Sequence, residues 1–311
     1  MTKYCGALNI DKPIGLTSRE VVDRVVRLVR PAKAGHAGTL DPLATGVLVV
    51  CVGHATRLIG MVQEGRKRYL ARFVLGQRSD TDDITGVVAP GGDWSGLTRD
   101  HLNAALSEFV GRIAQVPPQF SAVHVQGKRA YDLARRGETV ELAARFVDIY
   151  SLRLSDFQPP DFELEIECGS GTYVRSIGRD LGLRLGCGAV MTQLRRSAVG
   201  TFDVADAVSP DDLTAQSLSR LLTPAREIVS QYPPRQLSFD EVIAVRRGQS
   251  ISANFGLLSQ NQEHANRTNP QITEGRAALI DPDGLLVGIG EIDSSMMRLN
   301  PRIVFPAEPG A

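Results

Sequence analysis

The sequence predicts an α+β chain of mixed α/β content: a largely antiparallel or mixed sheet carrying amphipathic helices, followed by a small β-rich domain. Three observations carry this. Phe162–Glu163–Leu164–Glu165–Ile166–Glu167–Cys168 alternates with period two, so one face of that strand is buried and the other wet. Val21, Val22, Val25, Val26 and Val29 fall on one helical face, with Arg24, Arg27 and Arg30 largely on the other. Past Val208 the composition changes, and Asp281–Pro282–Asp283–Gly284 reads as a hairpin turn between Ala277–Ile280 and Leu285–Ile289.

Taken in order, Leu8 to Gly15 is a short strand running into a Pro/Gly turn. Thr17 and Glu20 have capping-box spacing for the valine-rich helix, which Pro31 stops. The stretch from Gly35 to Gly46 holds one carboxylate, Asp41, among small and apolar residues. Pro42 pushes Asp41 toward an extended conformation, and the glycines permit close approach by another molecule. Val47–Val52 then reads as a buried strand, a firm support for a reactive group. The same residues also describe an Asp-Pro turn entering a core strand, and spacing alone does not separate the two.

Tyr69–Leu75 is a further strand, entered through Arg66–Lys67–Arg68. Asp80 to Gly86 is rich in carboxylates but lacks the glycine and distant glutamate of a calcium loop at their set places, so it reads as a solvated turn. Asp100–Val110 has helical spacing, and Gln115–Ala122 is a rigid extended connector. Lys128 to Gly137 reads as a short basic helix ended by Gly137. There Lys128, Arg129, Arg135 and Arg136 surround a tyrosine, a composition suited to a phosphate backbone. After Gly169–Ser170–Gly171, Thr172 is expected to cap a helix with the stripe Val174, Ile177, Leu181 and Leu185. Arg175 then lies in the first turn, against the helix macrodipole, so it either meets a fixed anion or points into water. Gln231–Pro234 reads as a linker, Val242–Val245 as a short strand, and Gln260–Gly275 as a polar, mobile stretch.

The 35 Lys+Arg balance the 35 Asp+Glu, which excludes a uniformly basic RNA-coating protein while leaving room for local positive faces where arginines clump. Cys5, Cys51, Cys168 and Cys187 form no close pair and no zinc spacing, which fits a reducing cytosol. No apolar run approaches the ~18 residues of a membrane span, and the N-terminal residues lack a signal-peptide stretch; a cytoplasmic protein is expected. A dinucleotide fingerprint at Gly169–Gly171 fails because Val174 stands where it needs glycine. A glycosidase usually needs two paired carboxylates, and the sequence offers one.

Together these blocks resemble the bacterial tRNA pseudouridine-55 synthases of the TruB family. The matching segments are Asp11–Lys12–Pro13 through Thr17–Ser18, Gly35 to Gly46, Lys67–Arg68–Tyr69, Gly171–Thr172–Tyr173–Val174–Arg175 and Leu194–Arg195–Arg196, in the family's order over residues 6 to 203. The resemblance implies a catalytic domain over 1–229 with a central, largely antiparallel sheet and an inserted RNA-gripping segment, and a PUA-like RNA-binding domain over 230–311. It implies an isomerase that converts uridine 55 of the tRNA TΨC loop to pseudouridine, without cofactor or metal, as a monomer with no obligatory protein partner. By the same resemblance Asp41 is the nucleophile, whether on base or sugar, Arg175 pairs with it, and Tyr69 stacks on the base and is placed for proton transfer. His36 contacts the flipped nucleotide, and Lys12, Tyr173 and Leu194 match other pocket positions. A protein that mainly binds and refolds tRNA, or one that depends on a guide RNA, shares many of these features.

Overall fold

The computed structural model describes residues 4–121, 124–125, 128–129, 141–253, 275–293 and 295–307. Among these, nine strands form one sheet: β1 (Gly6–Lys12), β2 (Ala34–His36), β3 (Ala44–Val52), β4 (Lys67–Leu75), β5 (Gly111–Gln115), β6 (Arg145–Gln158), β7 (Asp161–Cys168), β8 (Ala189–Val199) and β9 (Phe202–Asp203). The order across it is β1-β3-β8-β4-β7-β6-β5, with β2 beside β3 and β9 beside β8. Every pairing is antiparallel except β3 with β8, where Leu194 lies opposite Ala44 and Arg196 opposite Gly46. A second sheet has β10 (Pro234–Gln236), β11 (Ile251–Ser252), β12 (Gly275–Ile280), β13 (Leu286–Asp293) and β14 (Arg298–Val304), in the order β10-β12-β13-β14-β11.

The two ends of the central sheet differ as their sequences do. β3 is apolar from Val47 to Val52 because both its faces are covered there. Leu48, Val50 and Val52 share a core with the valines of helix α1 (Ser18–Val29), while Val47, Val49 and Cys51 share one with Ala278, Ile280 and Ile289 of the second sheet. β7 alternates because only one of its faces is covered. Helix α1 begins with the expected capping box, Thr17 accepting from the Glu20 amide and the Glu20 carboxylate from the Thr17 amide. Each of its buried valines contributes about 1.5–3 kcal/mol by leaving water.

Short helix α2 (Ile59–Glu64) follows β3, and α3 (Arg99–Leu106) precedes β5. Helix α4 (Val174–Arg184) lies very close on β4 and β8. A Cβ on Gly178 would come within 2.3 Å of the Phe73 ring, and one on Gly182 within 2.1 Å of the Ala189 amide nitrogen. Two glycines one turn apart therefore set the height of the helix that carries Arg175.

Several expectations are corrected. Val242–Val245 lies in helix α5 (Phe239–Arg246), opened by a Ser238–Glu241 capping box; a short apolar run fits helix or strand equally, and the box decides. The Asp100–Val110 helix ends at Leu106 and continues as a 3-10 turn through Phe109. The cap of α4 is Tyr173, with no side-chain cap; the Thr172 hydroxyl donates instead to the Gly169 carbonyl. Lys128–Arg129 forms a two-residue strand against His124–Val125 instead of starting a helix, while Arg135 and Arg136 lie outside the described residues. Gln231–Pro234 is no free linker. Tyr232 packs on the core shared by the two sheets, its hydroxyl reaches Glu64, and Pro234 already belongs to β10. Of the polar stretch Gln260–Gly275, only Gly275, which opens β12, is described.

Candidate active site

The loop bearing Asp41 is held at three points. The Ser18 hydroxyl, in the first turn of α1, donates to the Leu40 carbonyl (3.0 Å) and accepts from the Leu40 amide (2.8 Å). The Gly15 amide donates to the Pro42 carbonyl at 2.8 Å. Arg196, 2% exposed, donates to the carbonyls of Val47 (2.7 Å) and Gly38 (3.1 Å). This last support needs β3 and β8 in close parallel contact, and Gly46 permits it: its φ is +98° and a Cβ there would lie 2.1 Å from the Arg196 carbonyl oxygen.

Opposite the loop, the Arg175 guanidinium holds two carboxylates. Its Nη2 is 3.1 Å from Asp41 Oδ2 and its Nη1 is 3.2 Å from Asp83 Oδ2. It also donates to the carbonyls of Thr81 (2.9 Å) and Phe120 (3.1 Å). The sequence left open whether Arg175 meets an anion; it meets two. One turn on, Arg179 Nη1 binds Asp82 at 2.9 Å while Nη2 donates to the Val116 carbonyl. The segment expected as a solvated turn is thus the partner of α4, with Asp82 8% and Asp83 3% exposed. The signal missed was the match of two adjacent carboxylates, Asp82 and Asp83, to two arginines four apart on one helix face. Burial, opposed by Arg179 and Arg175, pushes the Asp82 carboxyl up to about 6.

Asp41, Tyr69, Arg175, Tyr173 and Leu194 all line one cleft of about 480 Å³. Burial pushes the Tyr69 phenol above its ordinary value, so it is protonated at neutral pH, with Arg196 opposing the shift by charge and by a hydrogen bond. Lys67, Arg145 and Arg196 line the same cleft although the sequence reading gave them no site role. Lys67 stood inside a matched block, but its burial on the inward face of β4 is a tertiary fact; burial lowers its amine to about 8. Arg195 is bound to Asp11 at 2.8 Å and Arg196 is buried, so that clump is no open cationic surface.

Lys12 and His36 are not among the cleft's lining residues. Lys12 is fully buried, donates to the carbonyls of Pro13 (3.0 Å) and Leu16 (2.6 Å), and is lowered to about 8 by burial, with Asp41 opposing. It therefore braces the turn under the Asp41 loop, close enough for the Asp41 charge to act on it. His36 is half-buried on β2 opposite Val50, with Nδ1 buried and unpartnered among the described residues. Burial first, then Arg196, lowers its imidazole. Side chains of Lys128 and Arg129 lie outside what is described.

Residues 26–174 match the TruB family pseudouridylate synthase N-terminal domain, and residues 175–230 match the tRNA pseudouridylate synthase B C-terminal domain. The tRNA pseudouridine synthase B of Synechococcus sp. (strain CC9311) is 39% identical, covering 97% of this chain and 98% of its own. That of Sinorhizobium medicae (strain WSM419) is 40% identical over 96% and 95% respectively. This chain belongs to the TruB family of pseudouridine synthases. As a TruB-family enzyme it is an isomerase acting on uridine, and its mixed α/β core with a β-rich C-terminal part is the fold of solved relatives. A chain of a Cbf5–Nop10–Gar1 complex superposes with a TM-score of 0.72 at 26% identity, covering 97% of this chain and 85% of that one. One from an archaeal box H/ACA Nop10–Cbf5 complex gives 0.69 at 24% identity, a likeness of fold. Among the described residues no helix is long and apolar enough to cross a membrane, and no cluster of His, Cys, Asp and Glu has the geometry of a metal site.

Proposed function

We propose that this protein isomerises uridine 55 in the TΨC loop of tRNA to pseudouridine, with Asp41 as nucleophile, and that it does so in the cytoplasm without cofactor, guide RNA or protein partner. The observation that carries the reading is the Asp41 carboxylate, 40% exposed at the cleft while locked to a guanidinium that is only 7% exposed. A uridine within a folded loop must leave its stack to reach such a group. Tyr69 offers the surface on which the extruded base stacks, and its protonated phenol is placed for proton transfer. Attack by Asp41 on base or ribose lets the C1′–N1 bond break; the base turns, C1′–C5 forms, the bond to Asp41 breaks to return its carboxylate, and one proton passes from C5 to N1. Atoms and electrons balance within the nucleotide, so no redox or group donor is consumed. The division at residue 230, with 230–311 as a PUA-like RNA-binding part, belongs to the same reading, as do RNA contacts by His36, Tyr173, Leu194 and the segment containing Lys128, Arg129, Arg135 and Arg136.

The test is pseudouridine formation in an unmodified tRNA transcript, wild type against Asp41→Asn, with nothing added. Product at the TΨC-loop uridine from wild type alone is expected. Product at another uridine would overturn the substrate assignment, and product from the variant would remove Asp41 as nucleophile.

A further inference from the structure

Among the described residues four cations line the cleft, and three of them are already engaged. Arg175 is shared between two carboxylates and two carbonyls, Arg196 between two carbonyls and Tyr69, and the Lys67 amine donates to the Gln63 carbonyl. Arg145 differs. It opens β6, where its guanidinium lies over the Tyr173 ring, 4.7 Å from the centroid, and one nitrogen, Nη2, donates to the Gly171 carbonyl. Its Nε is buried and unpartnered, and among the described residues no carboxylate pairs with it. A guanidinium has five donors in a fixed fork; with Nε sealed and Nη2 turned to Gly171, Nη1 makes no hydrogen bond among the described residues, and unused donors at a cleft wall point to an acceptor that arrives with the substrate.

The surroundings define that acceptor. Stacking on Tyr173 fixes the plane of the fork, and Tyr173 is itself clamped by Gln115, whose side-chain amide donates to the Tyr173 carbonyl (3.1 Å) and accepts from its amide (2.9 Å). The uncapped first turn of α4, beginning at Val174 on the same wall, adds its positive end. A flipped uridine carries an anion on either side of it, and a planar fork matches a phosphate by two parallel hydrogen bonds. We propose that Arg145 binds one of the two phosphates flanking the flipped uridine, held flat for that purpose by Tyr173. This rests on the RNA-modifying reading above and adds to it the contact that fixes the nucleotide's backbone while Asp41 faces its glycosidic bond.

The experiment pairs Arg145→Gln and Arg145→Lys with TΨC stem-loop RNAs carrying a neutral methylphosphonate at one or the other flanking phosphate. One methylphosphonate should weaken binding to wild type about tenfold to a hundredfold, the range for one charge-assisted contact. The same RNA should cost Arg145→Gln nothing further. That variant should lower the slope of log affinity against log salt by about 0.7, and Arg145→Lys should restore part of the affinity by restoring the charge. Wild-type affinity and salt slope in Arg145→Gln overturn the proposal. So does a wild type indifferent to both methylphosphonates, a result that needs no variant to fold. A merely structural Arg145 would lower the melting temperature and turnover with no coupling to either phosphate, which also overturns it. Wild type that binds the loop through this contact but forms no pseudouridine would sink the proposed reaction and leave the phosphate contact standing.

Discussion

Asp41 and Asp83 share one guanidinium and are otherwise opposite. Asp41 is 40% exposed, on a loop whose backbone is pinned while its carboxylate faces the cleft. The Asp83 side chain is 4% exposed, and its Oδ1 also takes the Thr85 amide (2.9 Å) and the Thr81 hydroxyl (2.9 Å). The same pairing thus does two jobs. On the sealed side both oxygens are engaged, Oδ1 by Thr81 and Thr85 and Oδ2 by Arg175, and the charge fixes Arg175; on the open side the carboxylate keeps a face free for chemistry. A reactive carboxylate is distinguished here by what remains unsatisfied around it, not by its partner.

The comparison predicts its own hierarchy. Asp41→Asn should bring turnover to background while tRNA affinity stays within about tenfold, because affinity rests on phosphate contacts. An affinity loss well beyond that would show Asp41 to be more than a chemical group. Arg175→Ala should cost both activity and about 3–5 kcal/mol of stability, since it strands Asp83 without its cation; urea unfolding alongside turnover measures the two, and near-normal values of either would break the pairing. Asp83→Asn keeps the shape and loses the charge. It should cost about 1–3 kcal/mol and reduce turnover less than Arg175→Ala. If it proved as inactive as Asp41→Asn, the division into sealed and open sides would be wrong.

The neighbouring rung supplies a pH test. Asp82 has its folded-state value raised from 3.8 to about 6, so the folded protein binds that proton more tightly than the unfolded chain. Its contribution to stability therefore grows as pH falls from about 6 toward 3.8, by at most about 3 kcal/mol. Urea midpoints between pH 7 and 4.5 should lose that component in Asp82→Asn; an identical pH profile in the variant would contradict the raised value. The smallest effect belongs to the seam with the second sheet. There Glu64 and Arg276 pair at 2.8 Å with side chains 56% and 39% exposed, and Glu64→Gln should change stability by only about 0.5 kcal/mol. A loss several times larger in thermal melts would mean that exposed pairs in this molecule act like the sealed one.

Local pattern determined much of this protein. The alternation of β7, the capping box and valine stripe of α1, the Asp281–Gly284 turn and the Asp41 loop were legible because each depends on residues a few positions apart. Asp41, Tyr69, Arg175, Tyr173 and Leu194 were named by the resemblance to the family, and they do meet at one cleft. What only the tertiary structure decided depends on burial by distant segments. Asp82 and Asp83 looked like a wet turn until α4 covered them; that Lys12 is fully buried, its amine held by the Pro13–Leu16 turn, is not written in its neighbours; Arg145 carried no local signal. A charged side chain reads the same in sequence whether it faces water or a partner. Its role is set by whether folding removes the water and what replaces it.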